Sequence, residues 1–432
     1  MPRTTARRPL PPSLYADTAP PAPATSMLSG DIAAKVAIVG GGFTGLSTAL
    51  HLAEAGVDVV VIEANEIGWG ASGRNGGQVN PGLKWEPEEL EAGFGPDLGA
   101  RMVRLGGEAP GLVFDLVERH AIACAPRRGG TIRAAISPRS AANVRDYQRQ
   151  WSMRGADVVL AEGPAMTALT GTCAYPLGAH DRRGGQVQPL AYARGLAGAA
   201  LKAGARLFTA SPATGMSRAG TGWRVTTPGG ALTAERVVLA TNGYSDDLWP
   251  GLRRSVIPVY SSITATAPLP RDIASAIMPN GVVLYEMSST YAYYRMDEAG
   301  RFLMGGRSAL RDTSDPRDFA GLVAHAKELF PALEAATWTH CWNGQVAVTW
   351  DHLPHVHEPE PGIHIGLGYN GRGVAMATAM GRMLARRAAG GGPEVVDLPI
   401  TSVAPIFGHF AWPLAVKSRL KWDRLREIVG LA

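Results

Sequence analysis

Cysteine is nearly missing from this chain: Cys124, Cys173 and Cys341 are the only three in 432 residues. They are odd in number, widely spaced and form no C-x-x-C pair. This excludes a disulfide framework and leads us to expect a reducing, cytoplasmic setting. Lysine is almost as scarce. Six lysines among 42 basic residues leave 36 arginines. The arginines are scattered rather than interleaved with aromatics, so nucleic acid is not an expected partner. No H-E-x-x-H or P-loop signature occurs. His352, His355, His357 and His364 lie in a proline-rich turn region without helical i, i+4 register, so no metal is expected. Long apolar runs are lacking too. Residues 36–52 carry no Asp, Glu, Lys or Arg, but they are short for a span and contain three successive glycines. They also lie too deep in the chain for a signal peptide.

What is present points to a globular protein of about two domains, since the length exceeds the size at which single cores stop growing. Hydrophobic residues make up 46%, enough for sizeable cores, and the formal charge is +5. A modest positive balance suits an anionic cofactor and a carboxylate substrate.

Residues 36–63 read VAIVGGGFTGLSTALHLAEAGVDVVVIE. An apolar run enters Gly40-x-Gly42-x-x-Gly45, a helical stretch follows, and a second apolar run ends on Glu63. This order is that of a βαβ unit for a dinucleotide. Gly40 permits the tight turn, Gly42 lets backbone approach a pyrophosphate, and Gly45 lets helix pack on strand. The helix N-terminus presents N–H groups and partial positive charge to phosphate. Glu63 can accept hydrogen bonds from ribose hydroxyls and would repel a 2′-phosphate. The motif alone does not choose between FAD and NAD.

Further along, residues 68–84 form a glycine-rich loop and 86–122 read as helix. A strand is expected at 130–137 and helices at 140–153 and 190–203. Candidate strands follow at 206–209, 223–227 and 236–240, the last running into Thr241-Asn242-Gly243. Residues 256–268 and 282–307 read as sheet, 317–330 as helix, 344–366 as short strands and 374–387 as helix. A basic amphipathic helix is expected over 413–428. Residues 1–24, rich in Arg and Pro, read as a flexible arm, at most a loose clamp. Gly366-x-Gly368-x-x-Gly371 also follows an apolar strand, with Asp397 downstream. By spacing it could be a second nucleotide site, although Gly390–Gly392 and Pro393 interrupt that reading.

Several segments together resemble a known family: VAIVGGGFTGLSTALHLAEAG, VVVIEANEIGWGASGRNGGQV, VVLATNGYS, TWDHLP and GYNGRGVAMATAMG. They are similar to the D-amino-acid-oxidase-like (glycine/sarcosine-oxidase-like) FAD oxidoreductases. Within it the likeness is to the gamma-glutamylputrescine oxidase and L-pipecolate oxidase branch, of which GASGRNGGQ is the sign. The resemblance covers about residues 10–390. It implies an α/β fold with a discontinuous FAD-binding domain (31–84, 181–250 and 341–393) and a substrate domain with a mixed or antiparallel sheet (85–180 and 251–340). An N-terminal arm, 1–30, and a C-terminal helical tail, 394–432, flank them.

It also implies site residues. Gly40, Gly42, Phe43, Thr44 and Gly45 would cradle the pyrophosphate, with Glu63 and Ala64 at the ribose. Ala71, Ser72, Arg74, Asn75, Gly76, Gly77 and Gln78 would line the flavin, and Thr241, Asn242 and Gly243 the adenine half. Asn370, Gly371, Arg372, Gly373 and Val374 would sit at the pyrimidine edge, where a helix dipole favours growing negative charge. The second glycine turn thus serves the same FAD. The first glycine-rich loop has no His, and Gly344 stands where some relatives carry a flavin-linked Cys, so FAD is expected to be non-covalent, with Cys341 a buried small hydrophobe.

The implied reaction is oxidation of the C–N bond of a carboxylate-bearing amine or secondary amino acid. Hydride passes to flavin, and imine or aldehyde and hydrogen peroxide result. Proximity and a neutral amine suffice, so no dedicated base is expected. Arg295 or Arg307 is the candidate partner for the carboxylate, with Tyr291, Tyr293 and Tyr294 as candidate pocket walls. Alternation puts Tyr291, Tyr293 and Arg295 on one sheet face and Tyr294 on the other. Trp69 is expected to pack, and Lys84 either to be solvated or to place charge near the flavin. Expected partners are a small amine and oxygen, with a monomer or homodimer. A quinone-linked dehydrogenase, an NAD(P)H-dependent reductase and a flavin-containing binding protein are the alternatives.

Overall fold

The structure is a computed structural model that describes residues 8–288, 292–307, 309–418 and 422. Strands Ile32–Val39, Val59–Ile62, Gly230–Leu239 and Ile363–Leu367 form a parallel core, with Arg206–Phe208 parallel at one flank. Residues 36–39 and 59–62 are buried at every position, as expected of a parallel sheet covered on both faces. Antiparallel strands Gly215–Ala219 and Gly222–Thr227 extend it, and His355–His357 and Ile400–Thr401 complete a nine-stranded sheet.

Helix Phe43–Glu54 is buried at nine of its twelve positions. It packs on this sheet between helices Pro189–Lys202 and Gly373–Ala388. Leu46, Leu50 and Leu52 are fully buried, each worth about 2–3 kcal/mol. A Cβ on Gly381 would lie 2.5 Å from Ser47 Cβ, so only glycine lets helix Gly373–Ala388 come this near. Ser47 Oγ donates to the Thr378 carbonyl at 2.7 Å across that contact.

The second sheet has eight strands, ordered Trp338–Val348, Ile257–Thr266, Phe302–Arg307, Tyr293–Met296, Val283–Glu286, Thr131–Ala135, Leu177–Asp181 and Val158–Glu162. All its pairs are antiparallel except Val283–Glu286 with Thr131–Ala135. The class is therefore α/β with a mixed second sheet.

Three expectations change. Strand Trp338–Val348 pairs along its length with Ile257–Thr266, so residues 341–348 join the second sheet rather than the dinucleotide part. Helix Pro87–Arg119, kinked at Gly95 (φ +78°), buries Met102, Val113 and Leu116 in the core shared with helices Phe43–Glu54 and Gly373–Ala388. The arm is not loose from residue 8 onward. Helix Leu14–Thr18 buries Leu14 and Tyr15, and Trp69 Nε1 donates to the Pro9 carbonyl at 2.9 Å. Residues 419–421 and 423–432 lie outside the described residues, and with them nine of the sixteen positions of the expected helix over 413–428. No described helix is long and apolar enough to cross a membrane.

Candidate active site

The parallel strands all end on the same edge, and their carboxyl ends carry the expected loops. Ile32–Val39 leads into Gly40, Val59–Ile62 into Glu63, Gly230–Leu239 into Thr241, and Ile363–Leu367 into Gly368. Ligands of open α/β sheets bind at this edge. Helices Phe43–Glu54 and Gly373–Ala388 begin there, and neither has a side-chain cap at its N-cap residue. Both leave first-turn donors for a ligand.

Details of the first turn match its motif. Gly40 has φ +115°, and a Cβ on Gly45 would lie 2.0 Å from the Gly40 carbonyl oxygen. Glu63 accepts from the Gly41 N–H at 2.7 Å and the Asn65 N–H at 2.8 Å, and burial raises its pKa. Thr44 and Tyr369 hydroxyls share a 2.5 Å hydrogen bond, and Asn242 Oδ1 accepts from the Gly368 N–H at 2.9 Å. The glycine turns are thus tied together across the sheet edge. Asn370 (φ +50°) grips its own turn through the Gly368 carbonyl at 2.5 Å and the Thr349 N–H at 3.0 Å. A Cβ on Gly371 would meet nothing within 4 Å, so the turn opens onto space. Phe43 and Val374 turn their side chains into the core.

The chain does not complete a second βαβ unit at this turn. Strand Ile400–Thr401 pairs with His355–His357, which runs antiparallel to Ile363–Leu367. Asp397 is held by Arg101 at 2.9 Å. One dinucleotide site with two contact loops fits the geometry. Its donors are backbone N–H groups at two helix starts, with one buried carboxylate where a ribose would lie.

The loop between 68 and 84 has a different inner life from the one expected. Ser72 Oγ, in the turn Ala71–Gly73, accepts from the Phe43 N–H at 2.9 Å. Asn75 staples the loop through the Ala71, Ser72 and Gly77 backbone. Arg74 is buried between Trp69 and Tyr244, its guanidinium carbon 4.7 and 5.2 Å from the ring centres, and it donates to the Tyr244 hydroxyl at 2.5 Å. Gln78 donates to the Leu284 carbonyl at 2.9 Å. The side chains of Arg74 and Gln78 both fasten the loop.

Arg295 requires the main correction. It is 4% exposed and donates to the Gly76 carbonyl at 2.7 Å, Gln186 Oε1 at 2.9 Å and the Tyr15 hydroxyl at 3.1 Å. Each of its three nitrogens donates to a neutral oxygen behind the loop, so three of its five N–H groups serve the fold in a buried site. Tyr293 lies on the same side, its ring against Gly76 and its hydroxyl 2.9 Å from Ser261 Oγ. Tyr294 is fully buried on the opposite face, as alternation requires. Tyr291 lies outside the described residues.

Cross-strand register shows what local pattern conceals. Arg133, Tyr285, Tyr293 and Gly305 are directly paired neighbours across four strands, so they share the face bearing Tyr293. Arg307, two residues beyond Gly305, shares it too. Arg372, from the second glycine turn, reaches this face. It donates to the Tyr285 hydroxyl at 3.3 Å and to the Pro81 carbonyl at 2.5 Å. Arg133 pairs with Glu86 at 2.5 Å. Lys84 lies on the short segment between these two anchors. Its side chain is exposed, as one of the two expectations for it had it, and desolvation together with the nearby Arg372, Arg133 and Arg307 charges lowers its pKa. Arg372 and Arg133 thus meet at Tyr285, with Arg307 on the same sheet face. Arg133 and Tyr285 carry no local motif, and sequence reasoning missed them.

The histidines of the 352–364 stretch are used separately: His355 binds Asp351 at 3.0 Å, His364 binds Glu358 at 3.1 Å, and His357 meets the Thr401 carbonyl.

A family model described as FAD dependent oxidoreductase (DAO) matches residues 35–387. A probable oxidoreductase, OrdL, of Rhizobium meliloti is 32% identical, covering 96% of this chain and 97% of its own. A gamma-glutamylputrescine oxidoreductase of Escherichia coli is 31% identical over 86% of this chain and 88% of its own. The crystal structure of glycine oxidase from Geobacillus kaustophilus superposes with a TM-score of 0.72 at 23% identity, covering 87% of this chain and all of that one.

Proposed function

The chain belongs to the DAO family of FAD-dependent oxidoreductases, and from that premise we propose that it is an oxidase of carboxylate-bearing amines. Its substrate would be a secondary amino acid or an amine of the gamma-glutamylputrescine, pipecolate or N-carboxymethyl type. Non-covalent FAD, which the backbone of the two glycine turns and Glu63 would hold, would supply a two-electron acceptor there, with dioxygen as the final oxidant and hydrogen peroxide as its product.

One observation carries this reading: Arg372 reaches the Tyr285 hydroxyl on the sheet face that Arg133 and Arg307 share, so three arginines meet on one face beside the second glycine turn. Such a face attracts an anionic group and disfavours a second positive charge. A substrate carboxylate would be held at the arginines, with Tyr285 and Tyr293 as walls. Its nitrogen would be left neutral, the state from which hydride leaves carbon. The relative named for gamma-glutamylputrescine supports the same chemistry.

The test is an oxygen-electrode and peroxide assay with gamma-glutamylputrescine, pipecolate, sarcosine and iminodiacetate, each against its decarboxylated analogue. The reading requires oxygen uptake with matching peroxide for at least one acid, and a large loss of kcat/KM for its analogue. Turnover indifferent to the carboxylate would contradict it. Turnover with a quinone but not with oxygen would replace oxidase by dehydrogenase.

A further inference from the structure

We propose that Tyr15 is a positioning residue for FAD and that the N-terminal segment 8–28 is the strap that carries it. Tyr15 acts on the cofactor through the backbone of the glycine-rich loop 71–78, not by contact. The inference rests on membership of the FAD-dependent family, not on the choice of amine.

The loop leans on the first glycine turn. Ser72 Oγ accepts from the Phe43 N–H at 2.9 Å, and a Cβ on Gly42 would lie 2.9 Å from the same oxygen. Loop and helix start thus form one wall at the place where a pyrophosphate binds a dinucleotide fold.

Tyr15 reaches the back of that wall twice. Its hydroxyl accepts from Arg295 Nη2 at 3.1 Å, and Arg295 Nε donates to the Gly76 carbonyl at 2.7 Å. Its ring meets Trp342 edge-on, the centres 5.0 Å apart, and Trp342 Nε1 donates to the Arg74 carbonyl at 3.1 Å. One tyrosine, 1% exposed, therefore supports residues 74 and 76 through two different side chains.

The strap is anchored on both sides of Tyr15. Upstream, the Arg8 N–H donates to Asn65 Oδ1 and Trp69 Nε1 to the Pro9 carbonyl, both at 2.9 Å. Downstream, Gln188 donates to the Tyr15 carbonyl at 3.2 Å, Arg194 to the Pro20 carbonyl at 2.6 Å, and the Leu28 N–H to Ser211 Oγ at 2.9 Å. Leu14 and Tyr15 pack with Leu190 of helix Pro189–Lys202 and with Leu303 and Trp342 of the second sheet. A cavity of about 480 Å³ lies under residues 8–12, against Trp69, Asp312 and Trp342. The upstream end therefore spans open space, whereas Leu14–Thr18 is packed. A loop held in this way before FAD arrives costs the cofactor less ordering entropy on binding, and it releases FAD slowly.

Two full-length variants test this, with two readouts that need no turnover. Tyr15→Phe keeps the ring against Trp342 and removes only the acceptor for Arg295. Release of FAD, read as free-flavin fluorescence after rapid dilution of the holoenzyme, should speed up about tenfold, the worth of one charged hydrogen bond. Tyr15→Leu loses the ring contact as well and should release FAD faster still, by up to about a further tenfold. Hydrogen exchange of the apoprotein, read by mass spectrometry, should quicken in residues 71–78 and stay unchanged in helix Phe43–Glu54. If Tyr15→Leu fails to fold, Tyr15→Phe decides. Release at the wild-type rate overturns the proposal, whatever the exchange shows. Faster release with wild-type exchange in the loop, or with exchange raised equally in helix Phe43–Glu54, overturns the positioning role. A wild-type chain that takes up no FAD removes the premise. Failure of every panel acid to bleach the flavin would sink the amine-oxidase reading and leave this inference standing.

Discussion

Replacing Arg295 with alanine should damage the protein rather than its affinity for acids. The guanidinium holds the Gly76 carbonyl, Gln186 and Tyr15 together behind the flavin loop. Hydrogen bonds from a charged donor contribute about 1.5–3 kcal/mol each. The three do not add in full, because removing a buried cation whose described partners are all neutral also relieves its desolvation. We expect a net loss of about 3 kcal/mol. Gly77, with φ +71°, and Gly76 would lose their support, and the N-terminal helix its anchor at Tyr15. Urea unfolding of the apoprotein reads the stability loss, and visible absorbance per mole of purified chain reads FAD retention. The variant should unfold at clearly lower urea and retain less FAD. Its remaining holoenzyme should keep a near-normal KM for the carboxylate substrate. Unchanged stability with a strongly raised KM would refute the reasoning and return Arg295 to the substrate.

Two glycine substitutions should separate packing from ligand contact. Gly45→Ala drives a methyl group against the Gly40 carbonyl and should destabilise the apoprotein itself. Gly371→Ala meets no protein atom within 4 Å. At φ +88° it should cost the apoprotein only about 1–2 kcal/mol, while weakening FAD binding because its methyl enters the cofactor's space. Equal FAD affinity in Gly371→Ala and wild type, by fluorescence titration, would speak against that placement. The hydrogen bond from His325 to Glu286 at 2.8 Å raises the His325 pKa. The folded state therefore holds the proton more tightly. The stabilisation is full below the ordinary value of 6.5 and fades as pH rises through the folded-state value. Thermal midpoints should fall across that window, and His325→Gln should flatten the slope; equal slopes would dismiss the pair.

The dinucleotide half was legible because its chemistry is local. Gly40, Gly42, Gly45 and Glu63 serve one turn and one strand end, and each takes the place its spacing gives. The second glycine turn was ambiguous by spacing, and resemblance decided it. Strand pairing then showed why no second unit forms: the chain beyond helix Gly373–Ala388 returns beside an antiparallel strand. The substrate face was poorly legible. Alternation sorted Tyr293 and Arg295 from Tyr294, but it could not say that Arg295 is covered by Gly76 and Tyr15, which is 280 residues away. Arg133 joins Tyr285 only through a parallel pairing between distant segments. Lys84 is one residue in a loop until the fold surrounds it with arginines. The arm misled for the same reason: its Arg and Pro content hid Leu14 and Tyr15, whose burial depends on partners far along the chain.

Anaerobic stopped-flow mixing of the holoenzyme separately with the panel acids and with NADH tests the central claim most directly. The account predicts that the flavin's visible band bleaches with at least one carboxylate-bearing amine and stays unchanged with NADH. Bleaching by NADH alone would contradict it.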